Sequence, residues 1–247
     1  MKYANVDLDQ EAGMLVSYLK DYGQSVKSGE TALLLSGGVD SSLLFSVFSK
    51  NVHPYTVFYG NSEDLREARM LCEHMGMKLK EIEMTRGDIR ECARGLKDID
   101  PKISLLSLSY EIPLYMACSE IEEKYVMTGQ GSDEIFYGYG KFRDGRETTN
   151  KSSITKLVDE TIPREMKITS KFGKVPLMPY MQKSIMDRFA NMPADQHMSG
   201  NMNKIIVRKA CEIMGLPERT FLRPKKAAQY GSGVMKALRE MKGELGF

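Results

Sequence analysis

The chain has 247 residues, 42% hydrophobic and 28% charged, with 21 Gly and 9 Pro, an ordinary globular composition that excludes disordered, collagen-like and fibrous classes. Its 35 Lys and Arg against 33 Asp and Glu leave a net charge of +2, which gives no electrostatic case for nucleic acid or a membrane surface. No apolar run approaches the ~20 residues of a membrane span, and the start, MKYANVDLDQEAG, lacks a secretory layout, so a cytoplasmic location is expected.

Residues 9–27 place Ala12, Leu15, Val16, Leu19 and Tyr22 on one face and predict an amphipathic helix ending near Gly29. ALLLS at 32–36 is a short apolar run that breaks into Gly37-Gly38, a buried strand entering a tight turn. A helix over 41–48 and a strand over 55–59 follow. Asn61 and Ser62 offer caps for a helix that ends at Gly76. Residues 78–84 alternate as a strand, and Thr85 with Asp88 has capping-box spacing for the next helix. A helix over roughly 109–123 precedes a strand at 125–128 and a second glycine turn.

Strand and helix thus alternate from about 31 to 142, which predicts an α/β fold with a doubly wound parallel sheet. Beyond 145 no strand signal is read; helices are expected near 153–169, 181–192, 202–214 and 234–243. The expected organisation is one domain over 1–247, an α/β core at 30–145 followed by a helical part at 146–247. In such a sheet ligands bind beyond the carboxyl ends of the strands. Two expected strands end in glycine-serine turns, and if these strands are neighbours both turns line one crevice.

The four cysteines, at 72, 92, 118 and 211, have no zinc or redox spacing. Cys72 and Cys118 sit in apolar helical patterns and read as buried. His53, His74 and His197 lie far apart without metal spacing and receive no role.

The first turn, Ser36-Gly37-Gly38-Val39-Asp40-Ser41-Ser42, carries the strongest chemical signal. Glycines let the backbone approach a ligand and turn its N–H groups inward. The hydroxyls of Ser36, Ser41 and Ser42 can donate to phosphate oxygens, and the following helix offers its N-terminus to negative charge. Asp40 would repel a bare phosphate, which points to a Mg²⁺ ion shared with the phosphates. The lysine and spacing of a GxxxxGK[ST] loop are absent. The second turn, Thr128-Gly129-Gln130-Gly131-Ser132-Asp133-Glu134, alone reads as a helix start with Ser132 as cap and two acids in the first turn. Beside the first turn, Asp133 becomes a second hard-oxygen ligand for Mg²⁺.

SGGVDSS after an apolar strand resembles the pyrophosphate loop of the ATP pyrophosphatases. TGQGSDEIFYGYGKF resembles the GEGSDE-x-FGGY segment of asparagine synthetases, and FGKVPLMPYMQKSIMDRFANMP and NKIIVRKACEIMGLPERTFLRPKKAAQYGSGV resemble two C-terminal segments of that family. The similarity covers essentially residues 12–243, and related β-lactam-forming synthetases share the architecture. The resemblance implies the adenine nucleotide α-hydrolase-like type of sheet, with 30–145 binding nucleotide and 146–247 completing the site.

By the same resemblance, Leu35, Val57, Thr128 and Gly129 contact the adenosine part of ATP, largely through backbone, and Ser36–Ser42 hold pyrophosphate. Asp40 and Asp133 bind Mg²⁺. Lys225, in RPKKAAQYGSG, matches the lysine that neutralises charge during adenylation and amide formation, with Lys226 the alternative register. Gln130 stands where asparagine synthetases usually carry a Glu assigned to acceptor-site proton handling, and Gln cannot act as a base. Tyr180-Met181 replaces an apolar-Asp pair, so different local contacts are expected there. Position 2 is Lys, whereas the family's glutaminase half begins with a cysteine nucleophile. The implied reaction adenylates a substrate carboxylate with ATP, releases pyrophosphate and forms an amide, aspartate plus ammonia leading. Nitrogen is expected from free ammonia, a separate glutaminase chain or another amine. An adenylating RNA-modification ligase and a nucleotide-binding regulatory protein without catalysis are the alternatives. The first lacks its usual catalytic cysteines and basic extension, so nucleic acid is not the expected partner.

Overall fold

A computed structural model describes residues 7–223, 231–241 and 243. Helix α1 (Leu8–Gly23) starts where the Asp7 carboxylate accepts from the backbone N–H groups of Asp9 and Gln10. It stops short of Gly29, whose φ of +75° belongs to the turn into β1. The sequence then alternates β1 (Thr31–Leu34), α2 (Val39–Phe48), β2 (His53–Phe58), α3 (Glu63–His74) and β3 (Lys80–Glu83). Ser62 caps α3, and Thr85 with Asp88 forms the expected capping box at the start of α4 (Arg86–Ile99).

Helix α5 (Leu105–Glu120) begins earlier than its apolar pattern indicates, because the Ser104 hydroxyl accepts from the N–H of Ser107 and caps it there. Strand β4 (Tyr125–Met127) and the short helices α6 (Ser132–Ile135), α7 (Gly140–Arg143) and α8 (Lys151–Lys156) follow. A π-helical stretch, Leu157–Thr161, joins α8 to α9 (Ile162–Lys171).

Contrary to the absence of strand signal past 145, β5 (Val175–Leu177) joins the sheet, and β6 (Met198–Ser199) pairs with β7 (Met202–Asn203) as a hairpin. Three residues give no periodicity to read. Pro176 is tolerated because β5 is an edge strand, where a missing N–H breaks no central ladder. Helices α10 (Lys183–Phe189), α11 (Ile205–Ile213), α12 (Glu218–Leu222) and α13 (Val234–Glu240) complete the described elements.

The sheet is parallel throughout, in the order β3-β2-β1-β4-β5. Its two faces follow the period-two alternation of the strands. Leu33 and Met127 pack with Leu15, Phe45, Phe48 and Val207 on one side, while Ala32 and Val126 pack with Leu96, Ile112 and Leu238 on the other. After β3 the chain crosses to the far side of β1 to form β4, so the β1–β4 boundary is the topological switch point.

All four cysteines are free and buried, and burial pushes the Cys72 thiol up to about 11 and those of Cys92 and Cys118 to about 12. No described helix is long and apolar enough to cross a membrane.

Candidate active site at the strand switch point

Strands β1 and β4 are hydrogen-bonded neighbours, Ala32 opposite Val126 and Leu33 opposite Met127, so the two glycine turns emerge side by side. At Gly129 a Cβ would lie only 3.2 Å from Cβ of Asp40, the close approach that brings the turns together. At Gly37 the backbone has φ +66° and a Cβ would meet that of Glu67 at 2.4 Å, so the first turn lies directly on α3.

Within the first turn the hydroxyls shape the backbone. Ser36 N–H donates to Ser41 Oγ at 3.2 Å, Gly38 N–H to Ser36 Oγ at 3.3 Å, and Ser41 Oγ to Gly38 O at 3.3 Å. Ser42 is fully buried, and its hydroxyl has no hydrogen-bond partner among the described residues. Leu35 donates its N–H to Tyr55 O at 2.7 Å and accepts Thr56 Oγ1 at 2.6 Å, while Val57 is buried in β2 opposite Ile82. Thr128 N–H donates to Leu177 O at 3.0 Å.

The two aspartates meet on a residue to which the sequence reading gave no role. Lys204 Nζ lies 2.6 Å from Asp40 Oδ2 and 2.5 Å from Asp133 Oδ1, and Lys204 is 0% exposed. The other Asp40 oxygen accepts from Ser132 Oγ at 2.6 Å. Ser132 is therefore not the helix cap; Gly131, at φ +90°, precedes α6 and turns the serine toward Asp40. Burial alone would lower the Lys204 ammonium, yet the charges of Asp133 and Asp40 outweigh it and hold it above the ordinary lysine value.

The surroundings fix this bridge. Lys204 itself has φ +58°, a left-handed conformation that is strained for a lysine. Asn203 Nδ2 donates to Gly138 O at 2.6 Å, and Arg208 Nε donates to Asn203 O at 2.8 Å. A Cβ at Gly138 would lie 1.8 Å from Asp133 Oδ1 and 2.3 Å from Lys204 Cε, so only glycine leaves room for the pair. The segment LMPYMQ lands on both turns: the Tyr180 hydroxyl donates to Asp40 O at 3.0 Å, and Met181 Sδ fills the space beside Gly131.

Arg223 reaches the first turn from the other side, donating to Gly37 O at 3.5 Å while pairing with Glu63 and Glu67. At the next described residue, the Ser62 hydroxyl donates to Gly231 O at 2.8 Å, and a Cβ at Gly231 would lie 2.0 Å from Asp64 Oδ1. Burial pushes the Asp64 carboxyl up to about 7, against the opposing charge of Arg223. Lys225 and Lys226 lie outside the described residues, in a segment whose flanks are both anchored at the start of α3 or the first turn.

Asp40, Asp133, Gly129 and the first turn are thus brought together. Gln130 sits half-buried in the second turn, and its side chain makes no hydrogen bond among the described residues. Lys204, Tyr180, Arg208 and Arg223 are the additions the structure makes. Lys204 and Arg208 are the charged residues of NKIIVR, visible in the sequence as a basic pair at i, i+4 but without a sign of what they face.

Two carboxylates already gathered around one cation form a hard-oxygen set that fits Mg²⁺. Among the described residues no third His, Cys, Asp or Glu joins them, so further ligands would come from phosphate oxygens and water, the usual mode for this ion.

Fold and site define an α/β protein with a charged glycine-turn crevice at the switch point of a parallel sheet. The asparagine synthase family profile matches residues 23–170 and 150–246; the chain belongs to that family. It is 27% identical over 262 residues to a Methanocaldococcus jannaschii protein named, provisionally, as asparagine synthetase [glutamine-hydrolyzing] 1, covering 88% of this chain and 48% of that one. Asparagine synthetase B [glutamine-hydrolyzing] of Escherichia coli K12 is 27% identical over 234 residues, 82% of this chain and 41% of the relative. The chain therefore spans about half the length of these curated relatives, or less. Among solved structures, NMN synthetase from Francisella tularensis superposes with a TM-score of 0.48 at 13% identity, covering 96% of this chain and 87% of that one.

Proposed function

We propose that this chain is an ATP-dependent carbon–nitrogen ligase that adenylates a substrate carboxylate, releases pyrophosphate and forms an amide, with aspartate and ammonia as the leading substrates. The observation that carries this reading is the convergence of Asp40 and Asp133 from the two glycine turns on the buried Lys204 ammonium. Family membership supplies the reaction class.

A carboxylate oxygen attacks the α-phosphorus of ATP, the α–β bridging bond breaks, and pyrophosphate leaves. The amine nitrogen then attacks the acyl carbon, loses a proton, and AMP departs with the original carboxylate oxygen. Ser36–Ser42 would receive pyrophosphate at the N-terminus of α2, which begins within this turn. Leu35, Val57, Thr128 and Gly129 would line the adenosine. Asp40 and Asp133 would hold Mg²⁺, which when bound offsets phosphate charge. Lys225 would neutralise charge in both steps. Gln130 would orient the acceptor without taking its proton. The curated relatives bear glutamine-hydrolysing names, so ammonia, free or released by a glutaminase, is the nitrogen source in this reading.

ATP–pyrophosphate exchange, run with each amino acid and with RNA, tests the reading. Exchange driven by aspartate supports it; exchange driven only by RNA points to an RNA-modifying ligase. No exchange with any acceptor, despite ATP binding, overturns it.

A further inference from the structure

The geometry points to Lys204 as a resident cation that positions the two turns and makes entry of a divalent metal conditional on the nucleotide. The inference rests on the ATP reading above.

Asp40 and Asp133 belong to different turns, and their carboxylates would repel each other at this separation. Lys204 Nζ lies 2.6 Å from one and 2.5 Å from the other and donates to Ser132 Oγ at 3.4 Å. The ammonium therefore stands in the space between the two expected metal ligands. A bare divalent ion entering there meets a cluster whose net charge is only −1, with an ammonium already against both carboxylates. The like charges oppose each other beside a fully buried ammonium, which solvent screens weakly. A metal–nucleotide complex changes the balance, since its phosphate oxygens offer the ammonium new acceptors and the carboxylates can turn to the metal.

The backbone shows that this placement is imposed rather than incidental. Lys204 holds φ +58°, and the strain is retained by its neighbours: Asn203 is tied to Gly138 O, Ile205 N–H donates to His197 O at 3.0 Å, and Arg208 donates to Asn203 O. Gly138 keeps clear the space through which Lys204 reaches Asp133. Strain over-determined in this way, at a charged crevice, serves to aim a side chain.

Mn²⁺ titration of the protein, followed by the electron paramagnetic resonance of the free ion, tests this with and without a non-hydrolysable ATP analogue, the Mn²⁺ taken up by the analogue alone being measured in parallel and subtracted. The wild-type protein is expected to bind Mn²⁺ about tenfold or more tightly with the analogue than without it. Lys204→Met is expected to bind Mn²⁺ alone about tenfold more tightly than wild type, and to lose most of that nucleotide dependence. A residue that only held the fold together would give unchanged or weaker metal binding on removal, and that result in folded Lys204→Met overturns the proposal. Should Lys204→Met fail to fold by near-ultraviolet circular dichroism, the wild-type arm decides: equal Mn²⁺ affinity with and without the analogue overturns it. Calorimetry of the analogue with excess Mg²⁺ keeps the two readings apart, because failure to bind the magnesium complex of the analogue contradicts the ATP reading, whereas its binding with Lys204→Met unchanged in Mn²⁺ affinity contradicts this proposal alone.

Discussion

Lys204 between Asp40 and Asp133, and Arg164 between Glu111 and Asp100, are the same charge pattern in two settings. Arg164, on α9, donates to Glu111 Oε1 on α5 at 2.8 Å and to Asp100 Oδ2 at 3.1 Å. There burial outruns pairing: Glu111 Oε2 and Glu165 Oε2 have no hydrogen-bond partner among the described residues. Burial pushes the Glu111 carboxyl up to about 7 and Glu165 well above the ordinary range. At the strand switch point the opposite holds, and two carboxylates keep a fully buried ammonium charged. The helix cluster sits on regular backbone and can shed its charge by protonation. The crevice cluster draws on three chain segments and a strained lysine, and it keeps its charge. We read buried charge of the second kind as serving the proposed chemistry and that of the first kind as packing.

Substitutions in the two clusters should therefore separate activity from stability. Asp40→Ala should reduce pyrophosphate release on the order of a thousandfold or more, since it removes one of two carboxylates from the crevice. A surviving rate in that assay would exclude Asp40 from the metal and phosphate site. Arg164→Met should leave activity per folded molecule nearly intact but cost about 1–3 kcal/mol in urea unfolding, through the lost hydrogen bonds to Glu111 and Asp100, since Glu111 can take up a proton once the guanidinium is gone. Comparable losses of activity from both variants would erase the distinction between the clusters.

Glu123 gives a smaller and pH-dependent effect outside both. Burial raises its carboxyl, but Lys80, His53 and Tyr55 together outweigh this and bring it to about 2. Because the folded value lies below the unfolded one of about 4.5, the stabilisation is present above pH ~4.5 and lost as pH falls toward ~2. Glu123→Gln should accordingly cost on the order of 2 kcal/mol at pH 7 and almost nothing near pH 2. A cost independent of pH would remove the ion-pair explanation.

Glu111→Gln should have the smallest effect, within about 1 kcal/mol near neutral pH, because burial already favours the neutral form. Its folded value is raised to about 7, so wild-type stability relative to this variant should be greatest below pH ~4.5 and should fall as pH rises through ~7. The reverse slope in a denaturation series would show Glu111 to be a retained charge like Asp40.

The first turn was legible because its chemistry is local: strand, two glycines, Asp40 and the helix start lie within a few residues. Four strands were legible as apolar or alternating runs. β5 was not, being three residues with a proline on a sheet edge. Ser132 illustrates a subtler limit, since a serine before two acids reads as a cap, and only the φ of +90° at Gly131 turns its hydroxyl to Asp40. Lys204 was beyond reach for a different reason. Its contact with Asp40 spans 164 residues, and its aim depends on a left-handed backbone that nothing in NMNKIIVR announces.

Isotope transfer from the acceptor measures adenylation most directly. Aspartate labelled with ¹⁸O in its side-chain carboxylate, incubated with ATP, Mg²⁺ and ammonia, should yield asparagine, pyrophosphate and AMP carrying one ¹⁸O, read by mass spectrometry. Unlabelled AMP, or ADP with labelled inorganic phosphate, would contradict attack of that carboxylate on the α-phosphorus.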